Sequence, residues 1–155
     1  MDYIHYLRSL VGTEPVIMVT SDVGIFNGEG ELLLQRRARD GTWGLIGGFM
    51  ELGETVEETA RREVFEETGL TVGKLELLGV FSSAKLLTFA NGDQVQLVTV
   101  AYITGGPSGT PQLSTEGLEL RYFALSALPE HLFAPNLPIL EAIKNAIKDK
   151  SGQLT

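Results

Sequence analysis

Between Gly48 and Glu67 the chain carries seven glutamates (51, 54, 57, 58, 63, 66 and 67) against two arginines, Arg61 and Arg62. This short segment holds five of the chain's eight net negative charges. Like charges on helical neighbours repel, so a cluster of this density points to a cationic partner. Thr55-Val56-Glu57-Glu58 has the form of a capping box, and Gly69 is placed to stop a helix in a left-handed cap. The spacing therefore predicts a helix over 56–68. Val56, Ala60 and Val64 recur every four residues and form its apolar stripe. Glu63, Glu66 and Glu67 stand at i, i+3 and i+4, so their carboxylates share one face. Arg62 can reach Glu66 on the helix or Glu54 across the preceding turn.

Three convergent carboxylates offer only oxygen, which suits Mg²⁺ or Mn²⁺ rather than zinc. Such an ion shares its remaining positions with water and substrate phosphates. Gly47 and Gly48, just before the helix, let the main chain approach a metal or a phosphate closely.

Any one of these glutamates alone reads as a solvated surface residue, since Glu is a common surface helix former. The combined pattern is much more specific. Gly48, Glu54, Arg62, Glu63, Glu66, Glu67 and Gly69 are spaced as a fixed motif, with Val64 and Leu70 in its aliphatic slots. At average residue usage such a match has a chance on the order of 10⁻⁸ per starting position. The segment 48–70 resembles the Nudix box, and the order of elements over 16–150 is similar to the Nudix fold. The resemblance implies an α/β/α sandwich with a mixed sheet. It also implies a Mg²⁺-dependent hydrolase of a nucleoside diphosphate linked to another moiety. By the same resemblance, Glu63, Glu66 and Glu67 ligate metal, a carbonyl of Gly47 or Gly48 completes the shell, and Glu54 and Arg62 hold the loop against the helix. Ile46 stands where the family commonly has proline, which leaves the loop's conformation open.

Outside the box the resemblance to MutT-like proteins suggests three further site residues. Glu116 is a candidate ligand or base, with Glu119 as the fallback and Glu63 also open as the base. Arg37, at the end of a strand, is the candidate substrate contact, with a surface salt bridge as the alternative. Asn136, in Asn136-Leu137-Pro138, is the candidate purine contact, with a helix N-cap as the alternative. Trp43 and Phe81 could stack on a base, although aromatics more often fill the core.

Elsewhere a short amphipathic helix is expected over 2–11, capped by Asp2, with Ile4, Leu7 and Val11 on one side. Strands are expected at 16–26 and 31–37 as a hairpin, and at 74–86, 94–103 and 117–124. A closing helix is expected over 136–150, with Ser151–Thr155 as a frayed tail. At 155 residues a single domain is the natural expectation. The absence of cysteine and of a leader-like N-terminus fits a cytoplasmic protein. A net charge of −8 disfavours nucleic-acid binding but not a small phosphorylated ligand brought in with a metal. No stretch is apolar enough to predict a membrane span. The N-terminal helix is a candidate contact for a homodimer.

Within the Nudix reading, Arg37 and Asn136 favour a nucleoside triphosphate, including oxidised purine nucleotides. ADP-ribose or a nucleotide sugar is the alternative. The proline common in the ADP-ribose subgroup is missing around Leu86. Leu87 and Thr88 stand where dinucleoside polyphosphate hydrolases often carry tyrosine. A nucleotide-sensing regulator without turnover is the competing class, but such proteins usually lose box residues and none is missing here.

Overall fold

The computed structural model describes residues 2–153. Its strands are β1 (Val16–Phe26), β2 (Leu32–Arg37), β3 (Trp43–Gly44), β4 (Ile46–Phe49), β5 (Glu76–Ser82), β6 (Leu87–Thr88), β7 (Gln94–Gly105) and β8 (Gly117–Phe123). Its helices are α1 (Tyr3–Val11), α2 (Val56–Thr68) and α3 (Leu137–Gln153), with short 3₁₀ turns at Leu125–Ala127 and Ala134–Asn136. All eight strands belong to one mixed sheet with the backbone order β3-β2-β1-β7-β5; β4 pairs with β1, β6 with β7 and β8 with β2.

Side-chain alternation along the strands divides the apolar residues between two helices. Val23 and Ile25 of β1, Leu33 of β2 and Tyr102 of β7 pack with Ala60 and Val64 of α2. Leu32 and Leu34 of β2 and Ala101 and Ile103 of β7 pack with Ile139, Leu140 and Ile143 of α3 on the opposite face. The result is the expected α/β/α sandwich. Full burial of a side chain such as Val64 is worth about 1.5–3 kcal/mol, so each helix is held chiefly by its stripe. Gly24 lies on the α3 face, where an added Cβ would sit 3.0 Å from Ile143 Cδ1. Its lack of a side chain lets α3 approach the sheet.

β1 changes partners along its length. Thr20–Val23 pair antiparallel with β4, Phe26 pairs with Leu32 of β2, and the whole strand runs parallel to β7. This places the glycines of β4 directly beside the middle of β1, with Asp22 opposite Gly47 and Ser21 opposite Gly48.

The hairpin expected over 16–37 forms only at its turn, where Phe26 pairs with Leu32; beyond it β1 pairs with β4 and β7 and β2 with β8 and β3. The strand expected over 74–86 is shorter, confined to β5 (Glu76–Ser82), and the two-residue β6 follows just beyond it; both are antiparallel to β7. α1 has its expected cap, Asp2 Oδ1 accepting from His5 N at 2.9 Å. It packs on its own sheet through Arg8, which donates to Gln94 O at 2.8 Å. α3 begins one residue later than expected and continues through Ser151 to Gln153, past the predicted limit of 150. The remainder of the expected frayed tail, Leu154 and Thr155, lies outside the described residues.

Candidate active site

The caps that start and stop α2 are those its sequence requires. Thr55 Oγ1 accepts from Glu58 N at 3.1 Å while Glu58 Oε2 accepts from Thr55 N at 3.3 Å. Gly69 ends the helix at φ 73° and donates to Phe65 O. Arg62 then ties loop to helix. Its Nε and Nη2 donate to the two oxygens of Glu54, its Nη1 to Glu63 Oε1 and Glu66 Oε2, and its Nη2 also to Phe49 O. All five guanidinium N–H groups are thereby engaged. The Arg62 hydrogen bonds draw the Glu54 carboxyl down to about 2, assisted by donors from Glu51 N and Thr59 Oγ1.

The acidic face is built where α2 meets β4. Glu67 is buried, only 6% exposed, and accepts from Gly47 N at 3.2 Å. Burial pushes its carboxyl well above the usual range, and the neighbouring Glu63, Glu116 and Asp22 charges push the same way. Glu63 is also raised, first by burial, with the Arg62 contact opposing. A Cβ on Gly48 would lie 2.5 Å from the Glu63 carboxyl, so glycine is what allows the main chain to stand against that group. Glu66 is more exposed and accepts from Arg62. Among the described residues, no three carboxylates already stand at metal-holding spacing.

Arg37 leaves the end of β2 and lies between this acidic face and a cleft. Its guanidinium carbon sits 3.9 Å over the centroid of the Phe133 ring. Burial lowers its pKa, while the charges of Asp40, Glu67 and Asp22 act to hold its proton. Asp40 is 3.8 Å from Nε, and Nε has no hydrogen-bond partner among the described residues. The cleft, of about 320 Å³, is lined by Arg37, Arg39, Phe89, Leu132, Phe133 and Pro135, among others. Arg36 is exposed, in keeping with the alternation that separates it from Arg37. A slightly larger cleft of about 360 Å³ opens between Phe26, Lys74, Glu76, Ile147 and Lys150 and contains none of the box residues.

Asn136 is buried, but it does not cap α3. Its Oδ1 accepts from Leu45 N at 2.9 Å and its Nδ2 donates to Asp22 Oδ2 at 3.1 Å. The cap reading is therefore corrected. The side chain is turned back to the sheet, where Leu45 N–H and the Asp22 carboxyl engage both ends of its amide. Asp22 itself is a residue that the sequence reading missed. Burial raises its carboxyl to about 7, against the Asn136 hydrogen bond and the Arg37 charge. Its available signal was a lone acid in an otherwise apolar and hydroxylic strand.

Glu116 is exposed in the turn just before β8, and its charge reaches both Glu63 and Glu67. Glu119 is instead engaged by Arg121. Trp43 is a core residue, in edge-to-face contact with Phe123 at 5.0 Å, and Phe81 packs against the same cluster. Neither lines the cleft. The aromatics that do, Phe133 and Phe89, were not singled out from the sequence.

The NUDIX domain family profile matches residues 18–143. The chain belongs to the Nudix family. It is 34% identical over 132 residues to the ADP-ribose pyrophosphatase of Methanocaldococcus jannaschii, an alignment covering 83% of this chain and 73% of that one. A MutT-like protein of Streptomyces ambofaciens is 47% identical over 72 residues, 46% of this chain and just under half of its own length. The crystal structure of the MutT Nudix hydrolase from Burkholderia pseudomallei superimposes with a TM-score of 0.72 at 31% identity, covering 83% of this chain and 98% of that one. The chain is thus a Nudix pyrophosphohydrolase acting on nucleoside diphosphate derivatives. No described helix is long and apolar enough to cross a membrane.

Nudix enzymes generally use divalent metal ions, and the donors here fit one. They are all oxygen, they sit close enough for burial and mutual repulsion to raise Glu63 and Glu67, and Gly48 clears space at the Glu63 carboxyl. Glu63, Glu66, Glu67 and the Gly48 carbonyl are the groups that would hold it.

Proposed function

We propose that this Nudix enzyme hydrolyses a purine nucleoside triphosphate, with oxidised purine nucleotides among its substrates, using Mg²⁺ or Mn²⁺. The observation that carries this reading is the position of Arg37. It lies on the Phe133 ring at the cleft, yet within the electrostatic reach of Glu67 and Asp22. A nucleotide whose base enters the cleft would run its phosphates past Arg37 to the acidic face. Two arginines on that path, Arg37 and Arg39, suit a highly charged triphosphate approaching a strongly negative surface.

When bound, the ion offsets charge on the phosphoryl oxygens and acidifies water. Glu63, Glu66 and Glu67 would hold it through their carboxylate oxygens. Glu116, or Glu63 in its place, accepts the proton of the attacking water. Arg62 keeps Glu63 and Glu66 oriented, and its grip on Glu54 stops the loop from drifting. Arg37 binds the phosphate chain and Asn136 contacts the purine edge.

The identity to an ADP-ribose pyrophosphatase favours a second reading, hydrolysis of ADP-ribose or a nucleotide sugar. A panel of nucleoside triphosphates, oxidised nucleotides, ADP-ribose and nucleotide sugars, run with Mg²⁺ and with Mn²⁺, separates the two. The first reading expects release of pyrophosphate and a nucleoside monophosphate. Turnover of ADP-ribose about tenfold or more above every triphosphate would replace it with the second.

A further inference from the structure

Asp22 and Asn136 come from opposite ends of the chain and meet at 3.1 Å. An amide can be turned end for end by rotation about its last torsion, which exchanges a donor for an acceptor. Here the exchange is opposed at both ends. Reversed, Oδ1 would face the Asp22 carboxyl and Nδ2 would face Leu45 N–H, leaving acceptor against acceptor and donor against donor.

Two glycines make room for this arrangement. A Cβ on Gly47 would fall 2.1 Å from Asp22 Oδ1, and one on Gly44 would fall 2.9 Å from Asn136 Oδ1. The same Gly44 position is bordered by Phe133 Cβ at 3.4 Å and Arg37 Cδ at 3.7 Å, so the pinned amide sits beside the cleft residues. After its two internal bonds the amide retains one N–H and one lone pair.

We propose that Asp22 is a positioning residue for base selection, holding the Asn136 amide so that its remaining N–H and lone pair meet the nucleotide in one fixed order. The inference rests on the reading of the cleft as the base site. Asp22 acts through Asn136 and does not itself touch the substrate.

The test is a double-mutant cycle with D22A, N136A, the double variant and D22N, reading the ratio of kcat/KM for dGTP and dATP. D22A should reduce the native base preference about tenfold, through KM, with kcat held within about threefold. D22N keeps an acceptor oxygen for Nδ2 and should retain the preference. In the N136A background D22A should add nothing. Thermal midpoints and circular dichroism confirm that each variant is folded, and D22N supplies a folded comparison if D22A is not. A D22A effect on the ratio that is equal with and without Asn136 overturns the proposal, as does an intact ratio in D22A. If N136A alone leaves the ratio unchanged, base reading by Asn136 falls and the proposal falls with it. If triphosphates are not turned over, the triphosphate reading has failed, and the same cycle is read with ADP-ribose against its guanine counterpart.

Discussion

Arg62 and Glu54 face each other through two parallel hydrogen bonds, 2.6 Å at Oε2 and 3.0 Å at Oε1, and so join the loop after β4 to the helix that carries the acidic cluster. A bidentate contact of this kind fixes an angle as well as a distance. Because Arg62 also donates to Glu63 and Glu66, the pair sets where two of the candidate metal ligands stand.

Glu54→Gln should therefore lower stability at pH 7 by about 1.5–3 kcal/mol, the usual range for hydrogen bonds to a charged group. The effect should depend on pH in a defined direction. Glu54 is held at about 2 in the folded chain against an ordinary 4.5. Its contribution is present above the unfolded value and is lost as pH falls toward the folded one. Urea unfolding of both proteins from pH 7 to pH 3 should show the difference holding down to about pH 5 and shrinking below it. A constant gap would mean that the carboxylate charge is not what Arg62 holds.

Glu67→Gln should behave in the opposite sense. Its folded-state pKa is raised by burial and by Glu63. The metal-free native chain is therefore penalised once pH passes the unfolded value, and more so as it climbs toward the folded one. The metal-free variant should melt about 2–4 °C or more above the native chain at pH 8 and equal it at pH 4. Added Mg²⁺ or Mn²⁺ should raise only the native midpoint. Metal-dependent turnover should fall by more than the roughly 10–100-fold typical of residues that merely support metal ligands. Undiminished turnover would remove the metal role of this residue.

Gly47→Ala should be among the most damaging single changes in the chain. Its Cβ would meet Ser21 O at 2.3 Å as well as Asp22 Oδ1, and backbone cannot move aside cheaply. A loss of about 3 kcal/mol or more is expected. Gly28→Ala, where nothing lies within 4 Å and φ is not positive, is the matched control and should change stability little. Equal thermal midpoints for the two would show that β4 can shift away from β1.

Arg37→Ala should raise KM about tenfold or more with a smaller effect on kcat, if it binds the phosphate chain in both ground and transition states. Phe133→Ala, which removes the ring under the guanidinium, should act in the same direction. Steady-state kinetics at saturating metal distinguish this from a loss confined to kcat, which would assign Arg37 to the chemical step instead.

The legible and illegible parts of this chain differ in sequence distance. α2 could be bounded to the residue because its signals, Thr55, Glu58 and Gly69, are local chemistry that acts on the adjacent backbone. Asn136 misled in one respect: a residue type that caps helices well stood before a helix, but its real partners are 91 and 114 positions away. Asp22 was missed because an acid in a strand has no local meaning until the glycine opposite it is known. Phe133 and Phe89 were passed over because their loops acquire a position only from the sheet beneath them. The box prescribes a reaction, while the cleft that would choose the substrate is assembled from 37–42, 87–89 and 132–135.

The parallel pairing of β1 and β7 has a consequence for how the enzyme is made. Val16 meets Val95 and Phe26 meets Gly105, so the central ladder joins segments that bracket the entire box. Contacts of such long separation are formed late, since the intervening loop must be closed before they repay its entropy. A ribosome releasing this chain has therefore already exposed the acidic helix and its apolar stripe before β7 exists to complete the sheet. The negative charge gathered there, whose repulsion is a cost in the finished protein, also keeps that unfinished intermediate apart from its neighbours.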